Sequence, residues 1–213
     1  MMRSPAILTS LLTLVIGSST ATADRPAVPA ATTAKPPVGK IAPDFQLTDT
    51  DGKTVKLSAL RGKVVVLEWF NPDCPFVKQA HGEGALEDMA ARWTAKGVVW
   101  LAVNSAAPAK QGYGRDRNAA ARKEWSLAHP VLLDETGVAG KAYGATNTPH
   151  MYVIDKKGTL VYAGGLDNAP FGEVKGGGAV VPYAEQAIEA TLAGKKVPLA
   201  ETRAYGCGVK YGS

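Results

Sequence analysis

The stretch VVVLEWFNPDCPFVK, residues 64–78, decides the fold because it joins an apolar run to a helix start through a single cysteine. Residues 64–70 are β-branched or apolar except for Glu68, and the run is too short for a helix. This pattern predicts a strand that is buried on both faces of a sheet. The turn NPD follows, and Pro75 suits the first position of a helix. Cys74 is therefore predicted to lie at a helix N-terminus.

Cys74 has two interpretations. A thiol is a nucleophile only as the thiolate, and the free N–H groups and dipole of a helix N-terminus stabilise that anion. The alternative is a buried, inert cysteine. The residues around Cys74 are typical of a turn rather than of a core, which favours the reactive interpretation.

Glu68 is a carboxylate in the middle of a strand that is predicted to be buried. Burial alone should raise its pKa, and a protonated or shared carboxyl at this position would exchange protons with the thiol region. The alternative is that its side chain pairs with a lysine such as Lys63. The first interpretation gives Glu68 a role as a proton relay.

The remaining chain alternates strands and helices. A hairpin is predicted at Asp51-Gly52, and a hairpin of two further strands and a closing helix are predicted near the end of the domain. Strands are predicted at 64–70, 98–104, 130–133, 151–154 and 159–163, and helical segments at 75–96, 115–125, 137–143 and 182–192. This order predicts an α/β fold with a mixed central sheet flanked by helices.

Both ends of the chain differ in composition from its centre. Residues 1–23 combine a cationic start, an apolar core and an A-x-A site at 21–23, and they predict a secretory signal peptide. Residues 24–39 are rich in Pro and Ala and predict a flexible linker. One domain is expected over 40–194, followed by a tail at 195–213 that carries Cys207. Export to the periplasm, with no membrane span after cleavage, is the expected localisation.

Charge and cysteine content exclude some functions. The formal net charge is +5, but the basic residues are scattered without the runs that track a nucleic-acid backbone, so no nucleic-acid partner is predicted. The motifs predict no cofactor. Two cysteines are too few for a disulfide scaffold, although an oxidising compartment allows them to pair.

Several motifs together resemble a known family. VVVLEWFNPDCP, the following helix, TPHMYVID and the hairpin KKGTLVYAG occur in the order found in redoxins of the thioredoxin fold, which include the thiol-specific antioxidant proteins. CPFVK, TPH and the tail GCGVKY at 206–211 resemble a peroxiredoxin-like subgroup. The resemblance implies that Cys74 is the redox cysteine, Glu68 the buried acid and Pro149 a cis-proline that faces the thiol. The base rate for an isolated Thr-Pro bond favours a trans turn.

The chain departs from the family patterns at two positions. Thioredoxins carry a second cysteine three residues after the first, where this chain has Val77. Peroxiredoxins carry a threonine three residues before the peroxidatic cysteine, where this chain has Asn71. Cys207, in the tail, is either the resolving partner of Cys74 or half of a permanent disulfide that pins the tail.

These observations lead to one prediction and two alternatives. The prediction is an exported thiol–disulfide oxidoreductase in which Cys74 and Cys207 react with protein or small-molecule thiols and disulfides and with an unidentified electron donor. The first alternative is a thiol-dependent peroxidase. The second is a copper(I)-binding protein whose soft ligands are Cys74, Cys207 and His150. His81 and His129 carry no assigned role.

Overall fold

The structure, a computed structural model, describes residues 1–2 and 35–212. The predicted signal peptide, apart from Met1 and Met2, and the linker up to residue 34 lie outside the described residues. Within the described ranges, none of the helices is long and apolar enough to cross a membrane.

A seven-stranded mixed sheet forms the centre of the domain. The strands are β1 (Gln46–Asp49), β2 (Thr54–Lys56), β3 (Val65–Trp69), β4 (Val99–Asn104), β5 (Val131–Leu133), β6 (Asn147–Thr148), β7 (His150–Ile154), β8 (Leu160–Gly164) and β9 (Cys207–Gly208). The order in the large sheet is β2-β1-β5-β4-β3-β7-β8. β3, β4 and β5 are parallel to one another, whereas β7 and β8 form an antiparallel hairpin beside β3. All five residues of β3 are buried, and the predicted α/β fold class is confirmed.

The helices are α1 (Pro75–Gly82), α2 (Leu86–Thr94), α3 (Arg115–Glu124), α4 (Val138–Tyr143) and α5 (Tyr183–Leu192), with 3-10 turns at Leu57–Leu60 and Pro170–Gly172. The single helix expected over 75–96 is divided in two. Gly84 lies so close to the backbone of Ala80 that a Cβ would overlap it. A side chain at position 84 would not fit there, and residues 83–85 separate α1 from α2.

Each face of the sheet is covered by its own core. On one face, α1, α2 and α5 pack on a cluster that includes Val66, Met89, Trp93, Val153 and Ile188. On the other face, α4 and the N-terminal segment pack on a cluster that includes Leu67, Trp69, Tyr143 and Tyr152. A smaller cluster beneath α3 contains Phe70, Cys74, Val77, Ala102, Ala121 and Val131. The end of β3 that leads to Cys74 is thus enclosed by apolar side chains.

Both segments outside the predicted domain pack against it where they are described. In the predicted linker, the N–H of Gly39 donates to the carbonyl of Leu160 at 2.8 Å, and Lys35 pairs with Glu201 at 2.7 Å. Residues 35–39 are therefore part of the fold rather than of a flexible tether. The tail runs beside β8, where the N–H of Ala163 donates to the carbonyl of Ala200 at 3.0 Å. The described part of the tail therefore also packs on the domain.

Candidate active site

Cys74 lies where β3 passes into α1. It occupies the N-cap position, with extended backbone angles, and Pro75 is the first residue of the helix. Its side chain is fully buried. The predicted placement of the thiol at a helix N-terminus is therefore what the structure shows.

The Thr148-Pro149 peptide bond is cis and brings a second segment to the thiol. The S–H of Cys74 donates to the carbonyl oxygen of Thr148 at 3.1 Å. Thr148 belongs to β6, which pairs with the tail strand β9 so that Thr148 lies opposite Cys207. Three segments that are distant in sequence meet here, and the two thiols contact each other.

Hydrogen bonds to the sulfur of Cys74 favour its thiolate. Burial raises the pKa of Cys74, but the Cys207 thiol, the Thr148 hydroxyl and the backbone N–H groups of Val77 and Cys207 outweigh burial and lower the pKa below its ordinary value. These donors surround the charge that the anion would carry. The site therefore favours ionisation of a thiol whose side chain is fully buried.

Cys207 has the opposite tendency. Partial burial, its hydrogen bond to Cys74 and the negative charge on Cys74 raise the pKa of Cys207 to about 11. Cys74 is therefore the thiol of the pair that loses its proton more easily, and in its ionised form it accepts the hydrogen bond of Cys207. This asymmetry assigns different chemistry to the two sulfurs.

Glu68 is buried as expected, but the expected rise in its pKa is wrong. Burial raises the pKa, yet the charge and hydrogen bond of His81, followed by smaller effects of His129 and Trp100, lower it below the ordinary value. His81 Nε2 lies 2.7 Å from Glu68 Oε1, and the indole N–H of Trp100 donates to Oε2 at 3.1 Å. The carboxylate is thus held as an ion, and its partner is His81 rather than Lys63.

The Glu68–His81 pair was not predicted from the sequence. His81 follows Cys74 by seven residues on α1 and faces the sheet, where its ring stacks on Trp125 with centroids 5.2 Å apart. The signal was present: an i, i+7 spacing places His81 on the same side of α1 as Cys74, and that side faces the strand containing Glu68. His81 Nδ1 has no hydrogen-bond partner among residues 35–212.

His150 does not join the cysteines in a metal site. Its ring stacks on Tyr152, whose hydroxyl lies 3.2 Å from Nδ1, and burial lowers the pKa of His150 to about 4. No group of three or more His, Cys, Asp or Glu side chains suited to hold a metal occurs in residues 35–212. The copper(I) alternative with Cys74, Cys207 and His150 as ligands is therefore not supported by the geometry.

Aromatic side chains and a polar groove border the two sulfurs. Phe76 stacks on the half-exposed Phe171 with centroids 4.1 Å apart, and the ring centroid of Tyr205 lies 6.1 Å from that of Phe76. A groove of about 550 Å³, lined by Asn147, Gly206 and Tyr205 among others, flanks the β6–β9 pair. Gly206, which precedes Cys207, is the lining residue nearest to the second thiol in sequence.

A buried cysteine at a helix N-terminus, a cis-proline segment and a second thiol on a mixed sheet define a thiol-based redox protein of the thioredoxin fold. Residues 38–163 match the AhpC/TSA family, which is more than half of the chain. The protein belongs to this family, as the resemblance implied.

Curated relatives fall into two groups. The chain is 28% identical over 128 residues to the thiol-disulfide oxidoreductase ResA of Bacillus thuringiensis subsp. konkukian, covering 58% of this chain and 67% of that protein. It is 33% identical over 137 residues to the chloroplastic peroxiredoxin Q of Triticum aestivum, covering 58% of this chain and 57% of that protein. The chain thus spans about two thirds of the first protein and just over half of the second.

Solved structures resemble a larger part of the chain. A hypothetical protein from Sinorhizobium meliloti has a TM-score of 0.74 and 28% identity, covering 84% of this chain and 97% of the other. An uncharacterized conserved protein from Geobacillus kaustophilus has a TM-score of 0.73 and 31% identity, covering 83% and 93%. The similarity to these two structures therefore includes segments outside the 38–163 family match.

Proposed function

We propose that this protein is an exported thiol–disulfide oxidoreductase in which Cys74 is the nucleophile and Cys207 resolves the intermediate. The observation that supports this most is the register of β6 and β9, which sets Cys207 opposite Thr148 while the S–H of Cys74 donates to the Thr148 carbonyl. The cysteine that position 77 lacks is replaced by one from the tail.

The first step is attack on a substrate disulfide. The Cys74 thiolate attacks one sulfur, the substrate S–S bond breaks, and the second substrate sulfur leaves as a thiolate that takes up a proton. A mixed disulfide between Cys74 and substrate remains. The lowered pKa of Cys74 increases the fraction of protein that is ready to attack.

Resolution follows from the change in charge at Cys74. In the resting pair, the Cys74 anion and its hydrogen bond help to raise the pKa of Cys207. Once Cys74 is in a mixed disulfide, that anion is gone, so Cys207 loses its proton more readily. Its thiolate then attacks Cys74, the Cys74–Cys207 disulfide forms, and the substrate leaves as a thiol. Two electrons have passed to the substrate, and an external dithiol must restore the protein.

The proposed contribution of Glu68 is to assist proton transfer. It lies on β3 beneath the loop that carries Cys74, and Phe70 and Val77 of the same enclosed cluster border the thiol. No hydrogen bond within residues 35–212 joins Glu68 to Cys74. A proton passes between them only through a relay, for which His81 is the nearest bonded candidate.

The test is a trapping experiment with single-cysteine variants. Cys207→Ser should accumulate a mixed disulfide with a small aromatic disulfide or with a disulfide-bonded peptide. Wild type should instead release the reduced substrate, and mass spectrometry should show that the protein has lost two hydrogens. Cys74→Ser, the matched control, should form no adduct. If Cys74→Ser and Cys207→Ser trap substrate equally, the assignment of roles is wrong.

The reduction potential separates a working pair from a structural staple. A catalytic disulfide should equilibrate with a glutathione or dithiothreitol buffer at a potential above about −300 mV. A value well below this, together with a disulfide that persists in mild reductant, would contradict the proposed catalytic role of Cys207.

The peroxidase alternative has less support at the site itself. Asn71, at the position of the peroxiredoxin threonine, uses its side-chain amide in two contacts: its oxygen accepts from the Asp73 N–H of the same loop at 2.9 Å, and its nitrogen donates to the Gln111 carbonyl of another loop at 3.0 Å. Neither contact is made to Cys74, and the side chain lacks the hydroxyl of the family's threonine. A peroxide rate constant no faster than that of a free thiol would exclude this activity.

Export is proposed from the composition of residues 1–23. Cell fractionation should recover the protein from the periplasm, with a mature N-terminus at Asp24. Recovery of the full-length chain from the cytoplasm would contradict this part of the proposal, although it would leave the cysteine chemistry unchanged.

A further inference from the structure

A second groove lies away from the cysteines. It has a volume of about 460 Å³ and is formed by the start of the described chain, the β7–β8 turn and the segment after α5. Its apolar lining includes Val38, Val161, Val197 and Ala200. Apolar concave surfaces of this size are typical of ligand contacts.

The rim of this groove is strongly basic. Lys156, Lys157, Lys195 and Lys196 line it, all four are exposed, and no salt bridge within residues 35–212 involves any of them. Asp155 is the acidic residue of the lining, and its Oδ1 accepts the N–H groups of the turn at 2.9 and 2.8 Å. The Asp155 carboxylate is therefore already engaged in hydrogen bonds within the turn.

Two exposed apolar side chains stand beside these lysines. Ile41 is 61% exposed and bridges to Thr159, just after the β7–β8 turn. Leu199 is 50% exposed and lies between two lining residues, Val197 and Ala200. Large exposed apolar residues next to unpaired lysines combine the two features that bind an anionic bilayer: charge attraction and shallow insertion.

The position of the groove in the sheet separates it from the redox site. In the β3–β7 ladder, Trp69 pairs with His150 at the end next to the cysteines, and Val65 pairs with Ile154 at the end next to the β7–β8 turn. The four-residue rise between these pairs is roughly 13 Å. A surface bound at the basic end would therefore leave Cys74 and Cys207 facing away from it.

We propose that the groove and its rim, defined by the four lysines, Ile41 and Leu199, form a docking surface for a lipid bilayer that carries anionic headgroups. The lysines contact lipid phosphates, and the two apolar side chains enter the headgroup region. This inference is independent of the proposed redox function, because it concerns the opposite end of the sheet.

Vesicle flotation of the purified protein tests the proposal. Wild type should float with vesicles of phosphatidylcholine containing phosphatidylglycerol, should not float with phosphatidylcholine alone, and should be released as salt rises and screens the lysines. Because one lysine near an anionic surface contributes about a fivefold change in binding, Lys156→Gln/Lys157→Gln should weaken binding about 25-fold. Ile41→Ser/Leu199→Ser should also weaken binding, but this loss should persist at high salt.

Matched variants keep the test specific. Lys53→Gln/Lys123→Gln removes two exposed lysines near the other sheet edge and should bind as wild type does. Disulfide exchange in the absence of vesicles should be unchanged in Lys156→Gln/Lys157→Gln, which shows that the variant is folded. Equal losses in the two lysine pairs, equal binding to uncharged vesicles, or no binding at low salt would each overturn the proposal. So would binding of a soluble acidic peptide or a monomeric fatty acid without binding of vesicles.

Discussion

Replacement of His81 by phenylalanine should expose the energetic importance of the buried Glu68–His81 pair. Both side chains are almost fully buried, with 0% and 1% of their surfaces exposed, and their atoms lie 2.7 Å apart. Removing one partner of such a pair leaves an uncompensated buried charge and typically costs about 3–5 kcal/mol. For a domain of this size each kcal/mol lowers Tm by about 2–4 °C, so His81→Phe should lower Tm by about 6–20 °C.

A second substitution should partly reverse this loss. Glu68→Gln removes the charge while the amide oxygen still accepts the indole N–H of Trp100, which donates at 3.1 Å in the wild type. Glu68→Gln/His81→Phe should therefore be more stable than His81→Phe alone. Urea unfolding of the four proteins measures the coupling. A double variant that loses the sum of the two single losses would refute the pairing.

The pH dependence gives an independent check. The folded pKa of Glu68 is lowered relative to an unfolded value of about 4.3, so the pair stabilises the protein above that value and its contribution is lost as pH falls through the folded pKa. In His81→Phe the Glu68 carboxyl has lost its main partner, so the pKa of Glu68 should rise. Protonation should then remove the unpaired buried charge. The stability deficit of His81→Phe should therefore shrink on acidification. Arg92→Ala, which removes a surface partner of Glu185, is the control and should cost at most about 1 kcal/mol.

Three further predictions follow from the site and its surroundings. Burial lowers the folded pKa of His129 and His150 to about 4, below an unfolded value of about 6.5, so stability should be complete above pH 6.5 and fall as pH drops from 6.5 to 4 in urea titrations. Gly206→Ala should loosen β9 and slow resolution in single-turnover assays, because its φ is +105° and a Cβ would overlap the β6 backbone. Cys207→Ala removes a donor that lowers the pKa of Cys74, so alkylation of Cys74 should shift to higher pH.

Most of the fold was readable from the sequence because its signals are local. The run at 64–70 is apolar on both sides, so a central strand followed from composition alone, and β3 is buried throughout. The division between α1 and α2 was not predicted, because Gly84 reads as a weak helix position until its contact with Ala80 is seen. The packing of residues 35–39 on the domain was not predicted for a similar reason, because their hydrogen bonds are made to the distant strand β8.

Prediction of the site from the sequence was limited in the same way. Cys74, Glu68, Pro149 and Cys207 could each be selected from local context or family resemblance, but the sign of the Glu68 pKa shift could not. That sign depends on His81, thirteen residues away on a different element. Burial of an isolated carboxylate raises its pKa, whereas burial beside a hydrogen-bonded partner of opposite charge lowers it. The sequence therefore predicts the burial of Glu68 but not its partner.

The proposed resolving thiol, Cys207, is held in the tail rather than on the helix that follows Cys74. A second cysteine at position 77 would be fixed on α1 next to Cys74, whereas Cys207 is held by two residues of β9 paired with β6 and by the following segment, where Tyr211 donates to the Ala145 carbonyl at 2.8 Å. Further hydrogen bonds hold this segment, because the Val209 N–H donates to the Thr146 carbonyl at 3.0 Å and the Asn147 side-chain amide donates to the Gly206 carbonyl at 2.9 Å. A change that released the segment would remove Cys207 and its hydrogen bond together, so Cys74 should then lack its proposed resolving thiol and have a higher pKa. In the proposed mechanism the tail therefore affects both the resolution and the reactivity of Cys74, which a thiol pair confined to one helix does not do.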